Sequence, residues 1–387
     1  MKLIGAKIGS MTEALRFIGS EEYGARLVVI WSYPGEGKTV LAHLFAEQMG
    51  MEVVEVRATR LVPEDVGGFP TANYDQKVMS FFPPEWLPKI FFTDKRVLVI
   101  MDELNDARQD VIHALQGIVC DIFAVQDTHG LLQYGIERKP NRRVWFVALA
   151  NPPGVSRGDY PLTLAFCNRA AHFTLVPDEE DDERWLDWMV ERKTKDLPVI
   201  QHPPIEKQRE NFLQANMLIT AFLRVFPQYR RKVEIKRDEP VYPSRRTWDI
   251  CARMMALTEM TQAEWELVVS ATVGSNIAAA FLEYMQSTDI PPITEVIKNP
   301  SILKDYLSPQ RPDIAYSIVS GVCAIVASMG SEELVDFIRN GTFQTLMSHY
   351  KNAYLSDMAE KLRSSVAKCL LEEGILDADV VAEVNKK

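Results

Sequence analysis

The sequence predicts an α/β chain, with a parallel five-stranded sheet domain clothed in helices, then an all-helical segment and a helical C-terminal extension. Three observations predict it. Short apolar runs rich in β-branched residues recur between residues 27 and 176, separated by longer helical or polar segments. Most of these runs are hydrophobic at nearly every position, as strands covered on both faces are. After Pro177 the runs stop and helix-capping signals take their place.

The five strands are expected at Leu27 to Trp31, Val53 to Val56, Val97 to Met101, Val144 to Leu149 and His172 to Val176. Beyond them, "DEEDDE" (178–183) is expected to open a helix carrying Trp185 and Trp188, its acids suiting the positive N-terminal end. Ser244 is placed to cap a helix over 245–257, and Thr261 with Glu264 in "TQAE" forms a capping box for the next. Prolines at 198, 203, 204, 291, 292, 300, 309 and 312 punctuate the helical part.

Composition narrows the class. At 387 residues, 47% of them hydrophobic, the chain can bury a sizeable core in two or three domains. Its N-terminus lacks the unbroken apolar stretch of a signal peptide. The most apolar long window, Ile314 to Met329, contains three serines and a glycine and falls short of the roughly 20 residues that span a bilayer. A cytoplasmic location without membrane insertion is therefore expected. The five cysteines (120, 167, 251, 323 and 369) stand far apart with no C-x-x-C pair, which argues against a zinc knuckle or a disulfide framework. A net charge of -10 gives no global attraction to nucleic acid, and the local basic run from Arg230 to Arg237 is read as a solvated face.

The chemistry concentrates behind three of the runs. "SYPGEGKT" (32–39) follows the first strand and leads into the helical "VLAHLF". A phosphate-binding loop needs backbone NH groups converging at a helix N-terminus, a lysine to neutralise charge and a hydroxyl for Mg²⁺. Gly35 and Gly37 free the backbone, Lys38 brings the charge and Thr39 the hydroxyl, while Ser32 stands where such a loop usually opens with glycine. Pro34, Gly35, Glu36, Gly37, Lys38, Thr39 and Val40 are the expected nucleotide-binding stretch. The second piece, "VLVIMDE" (97–103), ends an apolar strand in two carboxylates. Asp102 is expected to serve Mg²⁺ together with Thr39, and Glu103 to polarise the attacking water. The third, "VWFVALANPP" (144–153), puts Asn151 after another strand, where its amide can hold either the water or the γ-phosphate.

Together with "YPLTLAFCNR" (160–169), these motifs resemble, in this order, those of the AAA+ ATPases and within them the MoxR-like branch, over residues 27 to about 176. "LVPEDVGG" (61–68) and "MSFFPP" (79–84) are similar to two further segments of that branch. The resemblance implies a P-loop nucleotide-binding domain over 1–180, a helical lid over 181–290 and an extension over 291–387. It implies ATP and Mg²⁺ as cofactors and a catalytic set of Glu103, Asn151, Arg169 and Arg246. Arg169 would reach a neighbouring subunit's nucleotide, with Arg157 as its rival; Arg246 would contact the γ-phosphate from the lid, with Arg245 second. Residues 121–143 occupy the place of the family's inserted segment, with Gly130 and "KPN" (139–141) suited to hairpin turns.

The leading expectation is thus an oligomeric remodelling ATPase, a hexameric ring acting on a client protein, in this family often one with a von Willebrand factor A domain. A nucleic-acid motor or loader is the alternative, but the basic stripe with interleaved aromatics that it needs is missing apart from residues 230–237. A non-hydrolysing nucleotide-gated scaffold is encouraged only by Ser32.

Overall fold

The computed structural model describes residues 4–74, 78–122, 143–152, 155, 162–176, 200–232, 240–308, 310–375 and 377–385. Several expectations lie outside them: Arg157, the acidic helix with Trp185 and Trp188, almost all of the inserted segment, and the basic run beyond Lys232. The chain divides into two compact units, one of Met1–Pro204 with Arg231–Ala279, the other of Ile205–Arg230 with Ala280–Lys387.

The first unit holds the sheet. In chain order its elements are β1 (Ala6–Ile8), α1 (Met11–Leu15), β2 (Leu27–Trp31), α2 (Lys38–Gln48), β3 (Glu52–Arg57) and α3 (Pro63–Gly67). There follow β4 (Phe69–Asn73), β5 (Val78–Phe82), α4 (Trp86–Phe91), β6 (Val97–Asp102), α5 (Gln109–Ile122), β7 (Val144–Ala150), α6 (Leu164–Cys167) and β8 (Ala171–Leu175). Six strands form one sheet in the order β1-β8-β2-β7-β6-β3, and every pairing in it is parallel. Every residue of β2, β6 and β7 is buried, the pattern of strands with helices on both faces.

The sheet has six strands, not the expected five, because β1 adds an edge. Three residues with one side chain turned out carry too little alternation to be read from sequence. Tertiary packing makes the strand: Gly5 has φ +72°, and a Cβ there would lie 2.0 Å from the His172 carbonyl oxygen, so only glycine lets the chain approach β8. A separate two-stranded antiparallel ribbon pairs β4, which begins directly after "LVPEDVGG" (61–68), with β5, which takes in the start of "MSFFPP" (79–84).

Every element described after β8 is helical. The first unit contains α8 (Arg245–Met255) and α9 (Gln262–Thr272), after α7 (Ile205–Val225) of the second. Ser244 caps α8 as expected, its box completed by Thr247, and Thr261 caps α9 through the expected capping box with Glu264. Next come α10 (Ser275–Gln286), α11 (Ile293–Lys298), α12 (Pro312–Val326), α13 (Ser331–Arg339), α14 (Thr342–Asn352), α15 (Ser356–Glu372) and α16 (Ala378–Asn385). In the second unit Phe222 of α7 stacks on Tyr229 with centroids 5.6 Å apart and meets Phe281 edge-on at 5.0 Å. All five cysteines are free, and among the described residues no helix is long and apolar enough to cross a membrane.

Candidate functional site

The carboxyl ends of parallel strands, at the point where connections diverge, are where an open α/β sheet exposes a crevice. Here β2 lies between β7 and β8, and the register sets Trp31 opposite Ala150, so the residues after them, Ser32 and Asn151, leave the sheet side by side. Register between β3 and β6 pairs Arg57 with Asp102, and the guanidinium Nε lies 4.0 Å from Asp102 Oδ2.

The loop after β2 explains its own residue choices. Gly35 and Gly37 have φ of +96° and +69°, backbone that side chains rarely adopt, yet a Cβ at either would meet nothing within 4 Å. Conformation, not crowding, demands glycine there, and the space in front of the loop is open. Ser32 needs no such freedom: it is not among the described residues with positive φ, its side chain is buried, and its amide donates to the Ala150 carbonyl at 3.1 Å. Gly37 caps α2 without a side-chain hydrogen bond, so no side chain of its cap occupies the helix's first amides, the usual seat of an anion.

Lys38, the first residue of α2, is half-buried and donates three bonds: to the Ser32 carbonyl at 2.7 Å, the Tyr33 carbonyl at 3.3 Å and Asn151 Oδ1 at 3.0 Å. Burial lowers its pKa from the ordinary lysine value, and the charges of Asp102, Asp106, Glu36 and Glu103 act against that shift. Thr39 Oγ1 donates to Asp102 Oδ2 at 2.9 Å. Hydroxyl and carboxylate oxygens so close are a hard-donor pair fit for a divalent cation such as Mg²⁺, which usually takes one or two protein oxygens and fills its shell with water and phosphate.

Glu103 has φ +54°, left-handed backbone that costs a glutamate on the order of 1–3 kcal/mol. The fold holds it there: its amide donates to Asp102 Oδ1 at 2.9 Å, and its carboxylate accepts from Thr59 Oγ1 just beyond β3. Asn151 is gripped by Asn105, whose Nδ2 donates to the Asn151 carbonyl at 2.8 Å and whose Oδ1 accepts the Asn151 amide at 2.9 Å. Asn151 Nδ2 in turn donates to Asp106 Oδ2 at 2.5 Å.

One neighbourhood thus contains Lys38, Thr39, Asp102, Glu103 and Asn151, with Pro34, Glu36 and Val40 along the loop; Val40 is 62% exposed. The two arginines form a different one. Arg169 Nη1 donates to the Ala165 carbonyl at 2.8 Å. Arg246 is mostly exposed; desolvation of its covered part, then the nearby charge of Arg169, lowers its pKa below the ordinary arginine value. Both also pull on the half-buried Cys120 thiol, whose pKa burial raises. Ser244, the cap of α8, donates to Asn168 Oδ1 at 2.6 Å, tying the stretch before Arg246 to the residue before Arg169.

Sequence reasoning gave no role to Arg57, Thr59, Asn105 or Asp106. The last two follow the acidic pair after one residue, Leu104, so their closeness in sequence was a usable signal. Thr59 lies 44 residues from Glu103, and only strand pairing brings them together.

Behind the loop, His172 is wholly buried on β8. Trp31 Nε1 donates to its Nδ1 at 3.2 Å, which leaves Nε2–H to donate to the Cys167 carbonyl at 3.1 Å. Burial lowers its pKa from 6.5 to about 4. Its neutral form therefore contributes stability that is complete above pH 6.5 and lost as pH falls towards 4, about 3 kcal/mol in all. Denaturant unfolding across that range should show this slope, and His172→Gln, which keeps a donor and an acceptor without titrating, should flatten it by nearly one proton.

No protein-family model and no curated protein matches the chain. Among solved structures, a candidate ATPase from Cytophaga hutchinsonii is similar at 16% identity, covering 70% of this chain and 88% of that one, with a TM-score of 0.44. A likeness this distant assigns no activity; side-chain geometry has to do so.

Proposed function

We propose that the chain is a magnesium-dependent ATPase of the MoxR-like AAA+ kind, working as an oligomer, a hexameric ring, to remodel or mature a client protein. The observation that carries the reading is the bond from Thr39 Oγ1 to Asp102 Oδ2 at 2.9 Å beside Lys38, with Glu103 as the next residue. A hydroxyl, a lysine and two carboxylates from two separate segments meet at an open, glycine-turned helix N-terminus. That set suits a polyphosphate with its metal.

In this reading the loop amides of residues 35–40 and the Lys38 ammonium hold the β- and γ-phosphates, while Thr39 and Asp102 would hold Mg²⁺. The metal, when bound, draws charge from the phosphate oxygens. Glu103 leaves Thr59 and orients water, whose oxygen bonds to the γ-phosphorus as the bond to the bridging oxygen breaks, the proton passing to the carboxylate. Positioning and preorganised charge supply the acceleration. Arg169, grouped with Arg246 rather than with the charges acting on Lys38, is free in this scheme to serve a neighbouring subunit. The client, for which a von Willebrand factor A domain is the family's usual feature, and the cytoplasmic setting belong to the same proposal.

Glu103→Gln tests it. The amide keeps the side chain's shape and loses the base, so the variant should bind ATP with affinity near that of the unaltered chain and hydrolyse it at least about 100-fold more slowly. Phosphate release and nucleotide titration measure the two quantities. Weaker binding with turnover per bound ATP unchanged would make Glu103 a structural residue instead.

A further inference from the structure

Asn151 stands between two groups that can each play only one part in a hydrogen bond. The Lys38 ammonium only donates and the Asp106 carboxylate only accepts. The amide between them is therefore oriented by chemistry: Oδ1 accepts from Lys38 Nζ at 3.0 Å, and Nδ2 donates to Asp106 Oδ2 at 2.5 Å. The Asn151 backbone cannot swivel to escape this arrangement, because Asn105, itself only 2% exposed, holds its amide and its carbonyl. Asn105 and Asp106 share one short turn, Leu104–Asp106, entered directly from Glu103. Asp106 Oδ1 is buried with no hydrogen-bond partner among the described residues, an arrangement that costs stability and has a counterpart only if the carboxylate is useful where it is.

We infer that Asp106 is a positioning residue that makes Asn151 a hydrogen-bond acceptor in the site. In the hydrolysis proposed above, on which this inference rests, Asn151 Oδ1 then accepts a hydrogen bond from the attacking water, and the Nδ2–H that Asp106 holds is not offered to the γ-phosphate. When a triphosphate draws Lys38 onto its own oxygens, the lysine releases Oδ1. Asp106 still holds Nδ2. The face turned to the reacting centre is then a lone pair, which repels phosphate oxygens and attracts a water hydrogen. Of the two roles that an amide at this position can fill, the neighbouring carboxylate selects one.

The test exchanges the pair. Asn151→Asp sets two carboxylates against each other and is expected to lower kcat about 100-fold or more. Adding Asp106→Asn gives the introduced carboxylate an amide to accept from, while an oxygen lone pair still faces Lys38. In the double variant kcat should return to within about tenfold of the unaltered chain, a residual loss of the size expected for a rebuilt hydrogen bond to a charged group. A donor to the γ-phosphate cannot be rebuilt this way. A double variant as inactive as Asn151→Asp, with melting temperature and ATP affinity retained, overturns the inference.

A second measurement needs no turnover and does not depend on the exchanged pair folding. In the Glu103→Gln background, Asn151→Ala is expected to leave the ratio of ATP to ADP affinity within about twofold, since an acceptor facing water contributes nothing to γ-phosphate binding. A tenfold or greater fall in that ratio would reveal a donor to the γ-phosphate and also overturn the inference. Failure of the ATPase reading itself is recognisable separately, because the unaltered chain would then show no hydrolysis.

Discussion

Lys38→Ala should lose nucleotide binding almost completely, with ATP affinity reduced by about 100-fold or more. In the proposed reading the ammonium would be the loop's side-chain cation facing the triphosphate, and charge-assisted hydrogen bonds of this kind contribute roughly 1.5–3 kcal/mol each. In the chain without nucleotide, Lys38 already satisfies the Ser32 and Tyr33 carbonyls and Asn151 Oδ1. Binding therefore exchanges these partners for phosphate oxygens, and the alanine variant loses both states of the lysine. Some loss of thermal stability should accompany the change, since the three acceptors are left to water. Titration with a fluorescent ATP analogue measures the affinity, and a melting curve separates lost binding from lost folding. Undiminished affinity in a folded Lys38→Ala variant would remove the proposed function.

Arg169→Ala is expected to leave ATP binding nearly intact while lowering hydrolysis by something like 10³-fold, the effect assigned to arginines supplied across a subunit boundary. The expectation follows from the site's layout: Arg169 acts on Arg246 and Cys120, whereas the charges acting on Lys38 are Asp102, Asp106, Glu36 and Glu103. In the proposed oligomer, such an arginine would complete a neighbour's site. Mixing decides the matter. Arg169→Ala chains, inactive alone, are combined with Lys38→Ala chains, also inactive alone, and activity should reappear wherever an intact Lys38 faces an intact Arg169. Light scattering with ATP establishes that mixed oligomers form, and a titration of the mixing ratio exposes any need for every subunit to be active. Mixed oligomers that stay inactive without such a requirement would move the role to Arg157.

The sequence by itself determined the strands that carry the site and the residues at their ends. Runs such as "LVVIW" and "VLVIM" are apolar at every position, short and rich in β-branched residues, the pattern of a strand buried on both faces, so β2 and β6 were legible without coordinates. Local chemistry also marked the glycines at 35 and 37 and the caps at Ser244 and Thr261, because turn and cap preferences depend on a few neighbouring residues. Tertiary structure alone decided what depends on pairing distant segments. The edge strand β1 exists because Gly5 lets the chain close onto β8, and three residues carry no periodicity that could announce it. Thr59 reaches Glu103 only because β3 lies beside β6, and Asp106 reaches Asn151 only because β6 lies beside β7. Strand order is a property of the closed core, set by long-range packing that no local pattern encodes, and it is what turned separate motifs into one set of hydrogen-bonded partners.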